Sequence, residues 1–183
     1  MKRLAFYFLL FTLLLSACTP TSIPTSAEPQ TITILTHDSF AISEDVITAF
    51  ETANNTKVVF IQSGDAGAVL NQAILTKDAP LADVLFGVDN TFLSRALDAD
   101  IFETYQSPVL SDIADEYKLD SSNRALPVDY GDVCINYDKN YFAEHNIAVP
   151  QTFEDLAMPE YKNLLVVENP ATSSPGLAFL LAT

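Results

Sequence analysis

Between Gln30 and Leu97 the sequence alternates three β-patterned runs with three helix-patterned runs, joined by connections of a few residues. That order permits few folds. A β-α-β-α-β-α chain with short links predicts an α/β domain with parallel strands, right-handed crossovers and helices on both faces of the sheet. Gln30 to Thr36 alternates Ile32 and Ile34 with threonines, then breaks at His37-Asp38-Ser39-Phe40. Ser43 can cap a helix running to about Asn54, with Val46, Ile47 and Phe50 on its buried face. Lys57 to Gln62 is the second strand and Ala68 to Lys77 the second helix. Ala82 to Gly87 is the third strand, and Asn90 to Leu97 the third helix, with Phe92, Leu93 and Leu97 inward. Ligands on parallel sheets sit beyond the carboxyl ends of the strands. That edge holds His37 to Phe40, Ser63 to Gly67 and Gly87 to Asn90.

The junction Gln62-Ser63-Gly64-Asp65-Ala66-Gly67-Ala68 reads as strand, glycine turn and helix start. A first helical turn has N–H groups without intrahelical partners and the positive end of the dipole. Two readings fit these residues: a tight turn serving only the fold, or a turn presented to a small ligand. Asp65 repels a phosphate unless its carboxylate caps the helix or meets a cation, so any anion binding falls to the backbone. Ser173-Ser174-Pro175 is likewise both an ordinary helix start and a second set of N–H donors.

Ile101 to Ala125 is less regular, with a short helix near Ser111 to Tyr117. Pro127 and Gly131 interrupt two β-patterned pieces within Leu126 to Asp138, which places a boundary at 127–131. The chain then divides into a first lobe at 31–126, a hinge crossover at 127–131 and the start of a second lobe at 132–183. In the second lobe Thr152 can cap a short helix, Leu164 to Val167 is a strand, and Pro170 to Gly176 opens the last helix. That helix reaches Thr183 with no cap, which predicts a truncated, incomplete second lobe.

Lys2 and Arg3 followed by the apolar run Leu4 to Leu15 form a signal peptide over 1–17. Leu15-Ser16-Ala17-Cys18 matches the bacterial lipobox, making Cys18 the lipidated residue. Residues 18–30 form a Thr/Ser/Pro-rich tether. The body behind it has a globular composition, 49% hydrophobic and 18% charged. Losing Lys2 and Arg3 takes the net charge from -15 to -17. Nucleic acid and anionic lipid surfaces are therefore poor partners. Cys134 is left without a disulfide partner. His37 and His145 lack metal-ligand spacing, so no metal site and no cofactor are expected. Arg95 and Arg124 are expected to pair with surface acids. Asp38, Asp89 and Asp129 can be solvated strand ends or a negative lining suited to a cation. Tyr130 fits either hinge packing or a ligand wall.

Together these residues resemble the type II solute-binding proteins of ABC importers, with two lobes, parallel-rich sheets and a hinge. The runs His37-Asp38-Ser39-Phe40, Gly64-Asp65-Ala66-Gly67-Ala68, Ala82 to Thr91, Pro127-Val128-Asp129-Tyr130-Gly131 and Thr172 to Leu181 resemble, more narrowly, the thiamine-binding proteins of that group. The resemblance implies capture of thiamine or its phosphates between closing lobes, by a monomer anchored outside the cytoplasm and serving a membrane permease. It implies that Gly64, Asp65, Ala66, Ser173 and Ser174 bind the phosphate or hydroxyethyl end, with Asp38 and Ser39 beside them and Tyr130 near the rings. The family usually has tyrosine where this chain has His37. Its ring-stacking residues lie mostly beyond position 183. Other solutes, namely ferric ion, a polyamine or an oxyanion, suit the same architecture. A thiaminase-like enzyme using Cys134 is the catalytic alternative, although Val133 and Ile135 flank that thiol and no basic residue stands near it in sequence. A non-functional truncated chain is a third reading.

Overall fold

The computed structural model describes residues 28–183. The signal peptide, Cys18 and the tether as far as residue 27 lie outside the described residues. Strand β1 (Gln30–Thr36) is central, with β2 (Thr56–Gln62) on one side and β3 (Val84–Leu85) on the other. Both pairings are parallel, as the alternating order requires. Gln30 lies opposite Thr56 and Thr36 opposite Gln62, so β1 and β2 end level. Their carboxyl ends therefore deliver His37 and Ser63 to the same edge.

Helix α1 (Glu44–Asn54) has Ser43 at its N-cap and left-handed Asn55 at its end, φ 49°. Glu51 ties it to β2, accepting the Val58 N–H at 2.8 Å and pairing with Lys57 at 3.5 Å. The expected buried face is not formed. Val46 is 51% and Phe50 46% exposed, and only Ile47 is half-buried. The helix packs mainly on β2, and no described element covers its other apolar side chains.

Helix α2 (Ala66–Leu75) begins two residues before the expected Ala68, because the Asp65 carboxylate accepts the Ala66 N–H at 2.8 Å and small residues fill the first turn. It stops at Leu75, short of the expected Lys77, and the Thr76 hydroxyl donates to the Gln72 carbonyl at 2.9 Å. The core centres on this helix. Leu70 and Ala96 are fully buried and join Phe92, with Ile74, Val88, Ile101, Phe102 and Leu177 packed around them. Burying one such leucine contributes about 1.5–3 kcal/mol.

Strand β3 is shorter than the expected Ala82 to Gly87. The Asp83 carboxylate takes the Thr33 N–H at 2.8 Å in place of a ladder carbonyl, while Asp83 itself donates to the Thr33 carbonyl at 2.9 Å. Helix α3 (Leu93–Asp98) starts later than Asn90. The Asp89 carboxylate holds 89–92 in a turn, accepting from the Thr91 N–H, the Thr91 hydroxyl and the Phe92 N–H. Phe92 and Ala96 are buried, whereas Leu93 and Leu97 are half-buried.

The helix expected near Ser111 to Tyr117 is two 3-10 turns, Leu110–Asp112 and Asp115–Tyr117, separated where Ala114 is extended. Helix α4 (Lys139–Glu144) is capped by Asp138. The Thr152 hydroxyl accepts the Asp155 N–H at 3.3 Å ahead of two 3-10 turns, Asp155–Ala157 and Pro159–Tyr161. Helix α5 (Ser174–Ala182) begins where expected, with Ser173 as its cap.

The β-patterned pieces around Pro127 and Gly131, and Leu164 to Val167, are not strands. Apart from half-buried Leu126, Pro127 and Leu164, both regions are exposed, and no ladder hydrogen bond joins them to any described strand. Alternation marks a segment able to pair, but a ladder needs a partner. Instead 132–138 and 163–168 flank a groove of about 780 Å³ lined by Val133, Ile135, Tyr161, Leu165 and Phe179. Among the described residues there is one sheet, and α5 packs through Leu177 on the core that α2 shares with Phe92 and Ala96.

Candidate functional site

The level ends of β1 and β2 lock the first half of the site. Ser63 donates its N–H to the Thr36 carbonyl at 3.0 Å, and Asp38 donates its own to the Gly64 carbonyl at 2.8 Å. Gly64 returns the bond, its N–H reaching the Asp38 carboxylate at 2.9 Å. Gly64 sits at φ 67°, the left-handed region that glycine tolerates best. The Ser63 hydroxyl bonds the Gln72 side chain. His37 Nδ1 lies 2.9 Å from the Ser39 hydroxyl, and the ring rests against Gly87, φ 113°, where a Cβ would stand 2.6 Å from His37 Cδ2. Phe40 packs beside them, its ring centroid 4.9 Å from that of Phe86 and 5.4 Å from that of Phe60. Asp38, Ser39, Gly64 and Asp65 are exposed, and Ala66 is buried.

The loop before α5 supplies the second half. Gly67 donates its N–H to the Thr172 carbonyl at 2.8 Å. Only glycine permits that approach: a Cβ at Gly67 would lie 2.9 Å from Phe92 Cζ and 3.0 Å from both Ala171 O and Thr172 Cα. Ser173 is 1% exposed. Its hydroxyl donates to the Glu168 carboxylate and accepts the Gly176 N–H at 3.2 Å. Ser174 is half-buried and its side chain makes no hydrogen bond to any described residue.

Backbone donors expected to face a ligand are thus largely committed. Ala66 donates to Asp65 Oδ1, Gly67 to Thr172, and Ala68 and Val69 to the Asp65 carbonyl. At the other helix Gly176 donates to Ser173 Oγ and Leu177 to the Ser173 carbonyl. The N–H groups of Asp65 and Ser174 are left over. Thr172, Gly67 and Glu168 were not singled out from the sequence as contacts. The signal was present in the small-residue run Thr172 to Gly176 and in a glycine inside the first turn of α2. Thr36 was also missed: it is fully buried, and its hydroxyl has no hydrogen-bond partner among the described residues.

Tyr130 stands apart from this cluster. It is 76% exposed and stacks on Tyr117, with centroids 4.8 Å apart and planes 16° from parallel. Cys134 is exposed on the wall of the 780 Å³ groove. That groove abuts the cluster through Glu168 and Gly176 without including Asp38 or Gly64. His145 stacks on Tyr141 at 4.1 Å. Arg124 meets Asp100 at 3.4 Å, as expected, but Arg95 bonds the Asn71 side-chain oxygen and no acid. Among the described residues, no group of three or more His, Cys, Asp or Glu could hold a metal ion, and no helix is long and apolar enough to cross a membrane.

A three-stranded parallel sheet whose carboxyl edge meets two helix starts fits the α/β fold of type II periplasmic binding proteins. The solved structure of a periplasmic thiamin-binding protein overlays with a TM-score of 0.61 at 25% identity, covering 86% of this chain and 49% of that one. The periplasmic binding protein AfuA from Actinobacillus pleuropneumoniae, with fructose-6-phosphate bound, shares the fold at a TM-score of 0.60 and 19% identity, over 79% of this chain and 46% of that one. Residues 79–183 match the model of the bacterial extracellular solute-binding proteins, and the chain belongs to that family. It is 30% identical over 172 residues to the thiamine-binding periplasmic protein of Escherichia coli K12, covering 92% of this chain and 50% of the relative. The corresponding protein of Brucella suis is 28% identical over 169 residues, 86% of this chain and 47% of the relative. The chain spans about half the length of the curated relatives it matches.

Proposed function

We propose that the chain works in an extracytoplasmic solute-binding protein that captures thiamine for an ABC importer. One observation carries the reading: the Asp38–Gly64–Asp65 turn meets the Thr172–Ser173 loop at the Gly67–Thr172 bond, in a chain similar over 92% of its length to a thiamine-binding protein. The resemblance assigned both segments to one end of the ligand. Asp38, Ser39, Gly64, Asp65 and Ser174 are the contacts proposed at one end of the ligand. Ser173, whose hydroxyl is committed, acts by positioning the loop, and Tyr130 reaches the ligand only after movement about 127–131.

Binding, not chemistry, is the proposed task. Ligand contacts made from both segments favour a closed arrangement, which the permease recognises. Cys18 carries the lipid anchor and the tether holds a monomeric body off the membrane. Each buried lipid CH₂ is worth about 0.8 kcal/mol, enough for stable anchoring by several chains. Calorimetric titration with thiamine, ferric citrate and spermidine tests the reading. Saturable heat with thiamine alone is expected, and saturable binding of either other solute with none of thiamine overturns it. Cys18→Ala is expected to release the protein from membranes.

A further inference from the structure

We infer that His37 is a positioning residue for the ligand: its neutral ring accepts the Ser39 hydroxyl at Nδ1 and turns that oxygen's lone pairs to the cleft, while its protonated ring reverses the bond and opposes a cation. The inference rests on the thiamine reading and names what regulates the same site. His37 stands at the carboxyl end of β1 with Nδ1 2.9 Å from Ser39 Oγ, and Nε2 bonds no described residue. The Phe40 N–H closes a turn onto the His37 carbonyl at 3.1 Å, and Gln62 Nε2 donates to the Asp38 and Phe40 carbonyls at 3.3 Å. Phe40 and Phe86 pack against the ring at centroid distances of 6.4 and 6.1 Å, and a Cβ at Gly87 would crowd its Cδ2. Turn and packing thus fix which oxygen the ring nitrogen meets.

A neutral imidazole has one donor and one acceptor nitrogen, whereas an imidazolium has two donors. While Nδ1 accepts, the Ser39 oxygen offers both lone pairs to a hydroxyl or amino group of the ligand. Once Nδ1 carries a proton, that oxygen gives up a lone pair to it and the ring gains positive charge. The charged groups on the segments around the ring are Asp38 on its own turn, Asp65 beyond Gly64 and Asp89 beyond Gly87. Their carboxylates accept from the Gly64, Ala66 and Thr91 N–H groups, and among the described residues none forms an ion pair with His37. The permanently cationic thiazolium of thiamine therefore meets the added charge directly. Histidine ordinarily changes charge between about pH 5 and pH 8.

Calorimetric titrations of wild type and His37→Asn with thiamine, from about pH 8 to about pH 5.5, test the inference. His37→Asn keeps a hydrogen-bonding side chain beside Ser39 and cannot take up charge. The ratio of wild-type to variant affinity is expected to fall at least about tenfold across that range, and titration of thiamine itself cancels in the ratio. Parallel profiles overturn the inference and leave the thiamine reading standing, whereas no thiamine binding at any pH overturns both. His37→Gln is the second neutral variant if His37→Asn does not fold. Nitrogen NMR of the ligand-free wild type is the second arm: neutral His37 is expected as the Nε2–H tautomer, which leaves Nδ1 to accept. The Nδ1–H tautomer overturns the inference whatever the ligand.

Discussion

The N–H of Gly67 donates to the carbonyl oxygen of Thr172 at 2.8 Å, joining the first turn of α2 to the loop that opens α5. Phe92 Cζ and Ala171 O leave no room for a Cβ at Gly67, since one would lie 2.9–3.0 Å from them. Gly67→Ala should cost about 1–3 kcal/mol by overpacking. Gly131→Ala is the matched control, with nothing within 4 Å of the added Cβ, and should stay within about 0.5 kcal/mol of wild type. Urea unfolding of the two variants measures the difference. Equal stability would show that the contact is slack.

The same bond marks the limit of what the sequence disclosed. Alternation and helical spacing place β1, β2, α1 and α2 within a residue or two, although the apolar stripe of α1 meets no core. Patterning failed where an outcome depended on a partner. Val133 to Tyr137 and Leu164 to Val167 have strand composition, yet neither finds a ladder among the described residues. Val46 and Phe50 form a helical stripe with no described element against it. Asp83 and Asp89 shortened β3 and delayed α3 by hydrogen-bonding the backbone with their side chains, a competition that hydrophobic periodicity does not register. At the site, the two helix starts were legible as donors. That Asp65, Thr172 and Ser173 consume those donors follows only from tertiary contact.

Thr36 is fully buried at the carboxyl end of β1, and its hydroxyl makes no hydrogen bond to any described residue. An unsatisfied buried hydroxyl costs about 1–3 kcal/mol, and a shape-matched apolar replacement removes that cost. Valine also suits a strand position. Thr36→Val should therefore stabilise the fold, by about 1 kcal/mol, read as a higher urea midpoint at unchanged slope. A lower midpoint would mean that the hydroxyl has a partner in solution.

Cys134 is exposed and should react with an aromatic disulfide reagent in the folded protein as readily as after unfolding. Accessibility alone does not make a nucleophile. Thiamine incubated with wild type or with Cys134→Ser should be recovered intact from both, as followed by chromatography. Loss of thiamine with wild type, abolished in Cys134→Ser, would replace the binding reading with an enzymatic one.

Asp120 is buried and accepts hydrogen bonds from the Ser122 hydroxyl at 2.6 Å, the Ser122 N–H at 3.0 Å, the Arg124 N–H at 2.7 Å and the Ala125 N–H at 3.0 Å. Burial raises its carboxyl pKa, but these four donors together outweigh it and hold the group well below the usual carboxylate range. A carboxyl that binds protons less readily folded than unfolded contributes stability above its unfolded pKa, about 3.9. That contribution fades as pH falls from there towards the folded value. Glu51, Asp115 and Asp155 are lowered too and steepen the same acid limb. Asp120→Asn should lower stability at pH 7, since an amide has one acceptor oxygen where the carboxylate has two. It should also flatten the pH dependence below about pH 4. Unfolding curves from pH 7 to pH 2 on wild type and variant give both readouts. Parallel profiles would place the acid sensitivity in the other carboxylates.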